Sequence, residues 1–333
     1  MERRHQLHAR ARRRARHPGA CQTDPGQDRR EPALSRGSGQ GREDALKIPP
    51  WARRNLVLRD LHGTKSGLRG SCLSSVCEEA RCPNITECFS QPSATFLILG
   101  DVCTRSCGFC SVRKGTPAPP DPDEAVLLAQ SAAGMGLKHV VITSVSRDDL
   151  PDQGAGAFAR AIREVRKRLP DASVEVLVPD FSGREDLLGL VLGEGPDVLN
   201  HNVETVDRLY PTVRPQARME TSLKVLRAAR EWSEGLVVKS GLMLGLGEEE
   251  DEVARLLARL QEAGCDVVTI GQYLRPSRRA LPVRKYWRPE DFERFSDLAK
   301  STGIRYVISG PLVRSSYRAR EAFEEVLSGR GRS

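Results

Sequence analysis

Two groups of cysteines carry the most specific chemical information in this chain. Six of its nine cysteines fall within the thirty-four residues from Cys77 to Cys110. Cys77, Cys82 and Cys88 are spaced C-x4-C-x5-C, and Cys103, Cys107 and Cys110 are spaced C-x3-C-x2-C. Thiolates are soft ligands that favour iron–sulfur clusters or zinc. Structural zinc usually takes four protein ligands, commonly as paired C-x2-C units. Three thiolates in one short loop instead suit a cubane cluster with one iron open to an outside ligand. Two triads of unlike spacing point to two separate metal sites. A disulfide framework fits poorly, because a chain of 333 residues can bury its own core.

Such loops need a rigid frame. Apolar runs suited to buried parallel strands occur at 94–100, 139–145, 174–179, 198–204, 236–246 and 266–273, with a short further run at 306–309. Helical periodicity fills the gaps at 123–135, 156–169, 184–192, 219–232, 249–263 and 289–302. The alternation predicts a parallel α/β barrel, whose chemistry sits in the loops after the strands. Cys103–Cys110 directly follows the first strand, residues 142–149 with Ser144 close the second, and 199–205 occupy the fourth. Asn202 and Glu204 alternate with His201 and are placed to point inward together. His201 itself reads as a hydrogen-bonded structural residue rather than a base. A glycine-rich stretch, Gly241 to Glu248, closes the fifth strand, and its glycines permit close backbone approach to a ligand. Cys21, Cys72 and Cys265 read as spare or buried thiols.

The net charge of +8 is concentrated at one end. Residues 1–50 hold twelve of the Lys/Arg and six of the Asp/Glu, leaving forty and thirty-eight for the remainder. Nucleic-acid binding is therefore not supported by charge. No apolar run reaches the length of a membrane span, and no secretory apolar region follows the N-terminus. Reduced thiols point to a cytosolic or organelle-matrix setting. Residues 1–46 lack apolar periodicity and are read as a disordered, Arg-rich extension. A basic arm for an acidic partner and a mitochondrial transit peptide are the competing readings.

The second triad, with Phe109 before its last cysteine, resembles the motif of the radical S-adenosylmethionine (SAM) enzymes. That resemblance implies a 4Fe–4S cluster on Cys103, Cys107 and Cys110 whose open iron chelates SAM and cleaves it to a 5′-deoxyadenosyl radical. It also implies an open, partial (βα)6 barrel of TIM type with N- and C-terminal extensions. Gly241 to Glu248 resembles that superfamily's G-x-I-x-G-x-x-E pattern, with Met243 in the Ile position. The segments Val76–Asn84 and Gly100–Arg105, the lead-in Lys47–Arg53 and the tail Gly310–Tyr317 together resemble the lipoyl synthase family. The resemblance spans roughly residues 47–320, and Arg318 stands where that family usually has His.

Lipoyl synthases insert two sulfur atoms at C6 and C8 of an octanoyl-lysine on a lipoyl carrier domain. The resemblance implies an auxiliary 4Fe–4S cluster as sulfur donor on Cys77, Cys82, Cys88 and a serine oxygen, here Ser316 with Ser315 as runner-up. SAM contacts are expected from Phe109, Ser144, Asn202, Glu204 and Glu248. Implied partners are octanoylated 2-oxoacid dehydrogenase E2 subunits and the glycine cleavage H protein. Others are an electron donor such as ferredoxin or flavodoxin, and an iron–sulfur carrier protein; no nucleic acid or membrane partner is expected. The implied domains are the head at 1–46, an auxiliary-cluster extension at 47–93, the barrel at 94–304 and a C-terminal segment at 305–333 with a disordered end. The setting is the bacterial cytoplasm, or the mitochondrial matrix if the head is a transit peptide. Two alternatives are another radical SAM sulfur-inserting enzyme, such as one similar to biotin synthase, and a zinc-bearing adaptor without enzymatic activity.

Overall fold

A computed structural model describes residues 47–53, 74–75, 79, 82, 84 and 94–330. The Arg-rich head, Cys21, Cys72, Cys77 and Cys88 lie outside the described residues. A single sheet organises the rest, with strands β1 (Ser74–Ser75), β2 (Thr95–Ile98), β5 (His139–Ser144), β6 (Ser173–Leu177), β7 (Val198–Asn200), β8 (Val237–Leu244), β9 (Val267–Gln272) and β10 (Tyr306–Gly310), in that spatial order. From β2 to β10 every pairing is parallel, and β1 adds antiparallel to the β2 edge. Two short strands, β3 (Val102–Cys103) and β4 (Arg113–Lys114), pair separately around the cysteine loop.

Helices α1 (Glu124–Gly134), α2 (Ala155–Arg168), α3 (Glu185–Leu192), α5 (Met219–Trp232), α6 (Glu250–Glu262) and α7 (Pro289–Ser301) return the chain between strands. A one-turn helix, α4 (Tyr210–Val213), precedes α5. Strands taken in chain order, each followed by a helix on the same side, curl the sheet as a barrel does. Among the described residues β10 and β1 do not pair, so the barrel is open. This is the α/β partial barrel expected from the strand–helix alternation.

The periodicities explain the elements. In α5, Met219, Ser222, Leu223, Leu226 and Ala229 are buried at helical spacing. Residues of β8 and β9 are buried nearly throughout, as strands covered on both faces must be. Pro289 opens α7, where its missing N–H costs nothing. Two expectations need correction. The fourth strand ends at Asn200 instead of continuing to 204; beyond it Glu204 adopts a left-handed backbone (φ 68°) and returns only as an isolated bridge to Leu242.

The C-terminal end, expected to be disordered, forms α8 (Ala319–Arg330). Ala322 and Val326 pack there against Val198, Val237 and Val267, the first residues of three strands. Phe323 lies with its ring centroid 6.0 Å from that of His139. The helix thus covers the N-terminal strand ends, opposite the loops that bear the cysteines. Ala319, Ala322, Phe323 and Val326 fall at i, i+3, i+4 and i+7, so the signal was present in the sequence.

Candidate functional site

A cavity of about 530 Å³ opens at the C-terminal ends of the strands. Cys103, Cys107 and Cys110 line it from the loop between β3 and β4. That loop is fastened on several sides. Arg105 donates from Nη1 to Asp180 at 2.7 Å and from Nη2 to Asp148 at 2.7 Å and Asp180 at 2.8 Å. Thr104 donates through its hydroxyl to Asp148 (2.8 Å) and through its N–H to the Ser146 carbonyl (3.1 Å). The N–H of Gly108 donates to the Val213 carbonyl, while its own carbonyl accepts from Leu281, each at 2.9 Å. A side chain at Gly108 would press on Leu281 and on the Thr212 carbonyl, so only glycine fits this seam.

The ionic clamp is strong by its geometry. Burial alone would raise the Asp180 carboxyl, but hydrogen bonds and charge from Arg105 outweigh this and hold it at about 2. Burial likewise opposes the charge on Arg105, and the two carboxylates more than offset it, raising its pKa. The cysteines have weaker partners: Sγ of Cys103 accepts from the Arg105 N–H at 3.4 Å, and the Arg214 charge opposes the upward shift of Cys107 without overcoming it. Burial pushes the Cys110 thiol up to about 11 and raises Cys107 as well. These thiols become thiolates when a cation such as an iron cluster replaces the lost hydration.

Glu204 is half-buried, and burial raises its carboxyl, with Arg214 and Asn202 working in the opposite direction. Asn202 donates through Nδ2 to Oε1 of Glu204 at 3.1 Å. Three other buried atoms of cavity-lining residues, Oγ of Ser144, Nε2 of His201 and Oδ1 of Asn202, have no hydrogen-bond partner. Buried polar atoms are rarely left unpaired, so this wall is chemically suited to a polar ligand. His201 accepts no such role as a base: burial, then the Arg214 charge, lowers its pKa to about 4, and Nδ1 sits 2.9 Å from the Val178 carbonyl.

The opposite wall brings distant segments together. Cys82, Arg314, Ser315, Ser316 and Tyr317 all line the same cavity as the second triad. The amide of Asn84 donates to the Leu312 carbonyl at 2.5 Å, tying the Cys82 segment to the serine loop. The Val313 carbonyl lies so close over Gly271 that a Cβ there would overlap it. Arg314 is buried, which lowers its pKa against the opposing influence of Cys82 and Glu204. Cys77 and Cys88, the other two members of the first triad, lie outside the described residues.

Phe109 also lines the cavity, packed beside Tyr273 and Met243. Glu248 does not. Its carboxylate accepts from the N–H groups of Gly245, Leu246 and Gly247 and from Nε1 of Trp287. With its acceptor positions engaged, Glu248 shapes the turn after β8 instead of meeting a ligand. The glycines of that turn answer to protein neighbours too: a Cβ at Gly245 would overlap the Gln272 amide and press on the Lys285 carbonyl. Sequence reasoning missed Arg105, Arg214 and Arg314 as site residues. Arg105 and Arg314 adjoin proposed ligands, which was a usable signal; nothing in the sequence marks Arg214.

No group of three or more His, Cys, Asp or Glu among the described residues is arranged to hold a single metal ion. Ligands of one zinc sit roughly 4 Å or less apart, twice the ~2.3 Å Zn–S bond at most.

A family model for the radical SAM superfamily matches residues 97–260. A lipoyl synthase of Rubrobacter xylanophilus is 52% identical over 80% of this chain and 83% of its own length. One from Nitratidesulfovibrio vulgaris is 49% identical over 85% of this chain and 95% of its own. The chain belongs to the lipoyl synthase family. It is accordingly a radical SAM sulfurtransferase, and its superfamily implies a 4Fe–4S cluster and SAM. Among solved structures, HydG, a maturase of the FeFe-hydrogenase, superposes with TM-score 0.51 over 70% of this chain and 54% of that one, at 15% identity. That likeness concerns the fold alone.

Proposed function

We propose that this lipoyl synthase family member inserts sulfur at C6 and C8 of an octanoyl-lysine on a lipoyl carrier domain. The observation that carries the reading is the shared cavity. Cys82 and the Ser315–Ser316 pair face the same space as Cys103, Cys107 and Cys110. A radical source and a sulfur donor must meet across one substrate, and only such a juxtaposition allows it. The two carbons carry no acidic proton, so the bound clusters and SAM supply the hydrogen-abstracting radical and the sulfide.

The chain's own residues bind and orient. Cys103, Cys107 and Cys110 hold the SAM-binding cluster, and the Arg105 clamp fixes their loop. Ser144, Asn202 and Glu204 offer polar contacts to SAM, with Phe109 beside them. Cys77, Cys82, Cys88 and Ser316 hold the auxiliary 4Fe–4S cluster. Oxygen is a harder ligand than thiolate, so Ser316 would give the auxiliary cluster one ligand unlike its three cysteines. The apolar wall, with Leu97, Val145 and Leu177, excludes water from the reacting carbons.

The carriers are E2 subunits and the glycine cleavage H protein, with a ferredoxin or flavodoxin as reductant and an iron–sulfur carrier for cluster renewal. The bacterial relatives favour a cytoplasmic setting over a mitochondrial one. Among the described residues no helix is long and apolar enough to cross a membrane. The test is anaerobic reconstitution with iron and sulfide, then a single turnover on an octanoyl-lysine peptide followed by mass spectrometry. Two sulfur atoms gained with 5′-deoxyadenosine released is the expected result. Deoxyadenosine without sulfur transfer would move the assignment to another radical SAM substrate. Zinc in place of iron, with neither product, would overturn the enzyme reading.

A further inference from the structure

The segment joining β9 to α7 is unlike the rest of the surface. Residues 273–288 contain six Arg or Lys and no Asp or Glu, whereas the whole of 51–333 carries a surplus of only two positive charges. Arg275, Arg278, Arg279, Lys285 and Arg288 are all exposed. None of these five forms an ion pair with a carboxylate among the described residues. Elsewhere many exposed arginines are matched, as Arg163 is with Glu194, Arg208 with Glu252, Arg255 with Asp251, Arg294 with Glu250 and Arg320 with Glu324; Arg160, Arg168, Arg218 and Arg227 are exposed without an ion pair among the described residues, but they are scattered along the chain. Like charges crowded without counter-charges repel one another, which costs stability unless something outside the chain neutralises them.

The segment is nonetheless firmly held. Leu281 donates to the Gly108 carbonyl, Arg284 donates through its N–H to the Gly245 carbonyl at 2.8 Å, and the Tyr273 hydroxyl donates to the Leu281 carbonyl at 2.8 Å. Leu281 and Val283 turn inward and pack near Phe109. Apolar side chains therefore face the cysteine loop while the basic ones face solvent. Leu274, Arg275 and Pro276 reach the cavity itself, so the basic surface borders its opening.

We propose that this basic segment is the docking surface for the carrier domain, recognising acidic side chains on the protein face that flanks the acyl-lysine. This rests on the reading of the substrate as an acyl-lysine borne by a carrier domain. A preformed positive rim at the cavity opening steers a negatively charged protein and orients its lysine arm toward the cysteines, with little ordering cost on binding.

The test compares two substrates with dithionite as reductant: an octanoylated carrier domain and a short octanoyl-lysine peptide. Arg278→Glu/Arg279→Glu changes two residues that do not line the cavity. The KM for the carrier domain is expected to rise roughly tenfold or more, with the salt dependence of carrier turnover flattened. Turnover of the peptide and iron content should stay within twofold. Arg255→Glu/Arg320→Glu, an equal change of charge at paired sites on α6 and α8, should leave the carrier KM unaltered. An unchanged carrier KM in the first variant, or an equal rise in the control, overturns the proposal. So does a defect seen only with a protein reductant, because that would assign the surface to the electron donor. If wild-type protein converts neither substrate, it is the reaction assignment that fails, a result separable from an altered carrier KM.

Discussion

The loop of Cys103, Cys107 and Cys110 and the loop of Ser315 and Ser316 face one cavity, yet they are fastened differently. The first is clamped by a buried guanidinium between two carboxylates and by backbone bonds to Val213, Leu281 and Ser146. The second leaves β10, an edge strand whose residues are only half-buried, while its neighbour β9 is buried throughout. Its anchors include the Gln272 N–H donating to the Pro311 carbonyl at 3.2 Å, the Asn84 amide on the Leu312 carbonyl and the close seating of the Val313 carbonyl over Gly271. A cluster that delivers electrons repeatedly with unchanged ligands benefits from a rigid loop. A cluster that is dismantled and rebuilt needs ligands on a segment that opens at low cost. On the proposed assignment, the difference in fastening follows the difference in use.

Separating the two loops by mutation gives the largest expected effect. Cys107→Ala should abolish release of 5′-deoxyadenosine, whereas Cys82→Ala and Ser316→Ala should retain SAM cleavage and lose sulfur insertion, both read by chromatography and mass spectrometry. Lipoyl product from Cys82→Ala would break the comparison, since the assignment of Cys82 to the sulfur-donor cluster would then be wrong. If Ser315→Ala loses product and Ser316→Ala keeps it, the ligand is the other serine.

Next in size is the clamp. Arg105→Ala leaves Asp180 buried without its cation and should cost about 3–5 kcal/mol in chemical denaturation. Iron bound to the Cys103 loop should fall with it, and the serine loop should be unaffected. Acid titration sharpens the same point. The depressed Asp180 carboxyl stabilises the fold fully above its ordinary value near 4, and this contribution is lost as pH falls toward about 2. Asp180→Asn should remove a component of roughly 2 kcal/mol from that acid limb.

Gly271→Ala tests the weaker fastening. The added methyl group displaces the Val313 carbonyl and should cost about 1–3 kcal/mol, with product lost more than SAM cleavage. Smallest is Val326→Ala in α8, expected to cost about 1–2 kcal/mol. Because α8 covers the opposite end of the strands, SAM cleavage and product should fall together in this variant.

Much of the frame was legible because it is periodic. The α5 boundaries at Met219 and Trp232 follow directly from apolar residues at helical spacing, and the strand runs at 139–144 and 267–272 stand out as continuous apolar segments between helices. Residues 201–204 broke the pattern because the ladder stops at Asn200 and Glu204 turns left-handed, neither of which alters the hydrophobic run. Glu248 looked like a ligand contact from its motif, but its loop folds back and consumes both carboxylate oxygens.

By itself the sequence determined the cysteine triad of the Cys103 loop as a set, the strand–helix alternation and the place of that loop after the first strand. These depend on residue type and short-range spacing. Only the tertiary structure decided that Cys82, Glu204 and Ser316 share one cavity, that Arg105 reaches Asp180 seventy-five residues away, and that Arg275, Arg278, Arg279 and Arg288 stand exposed beside it with no ion pair among the described residues. Such relations are set by how strands wrap around a common axis, and no local period along the chain records which distant side chains that wrapping brings together.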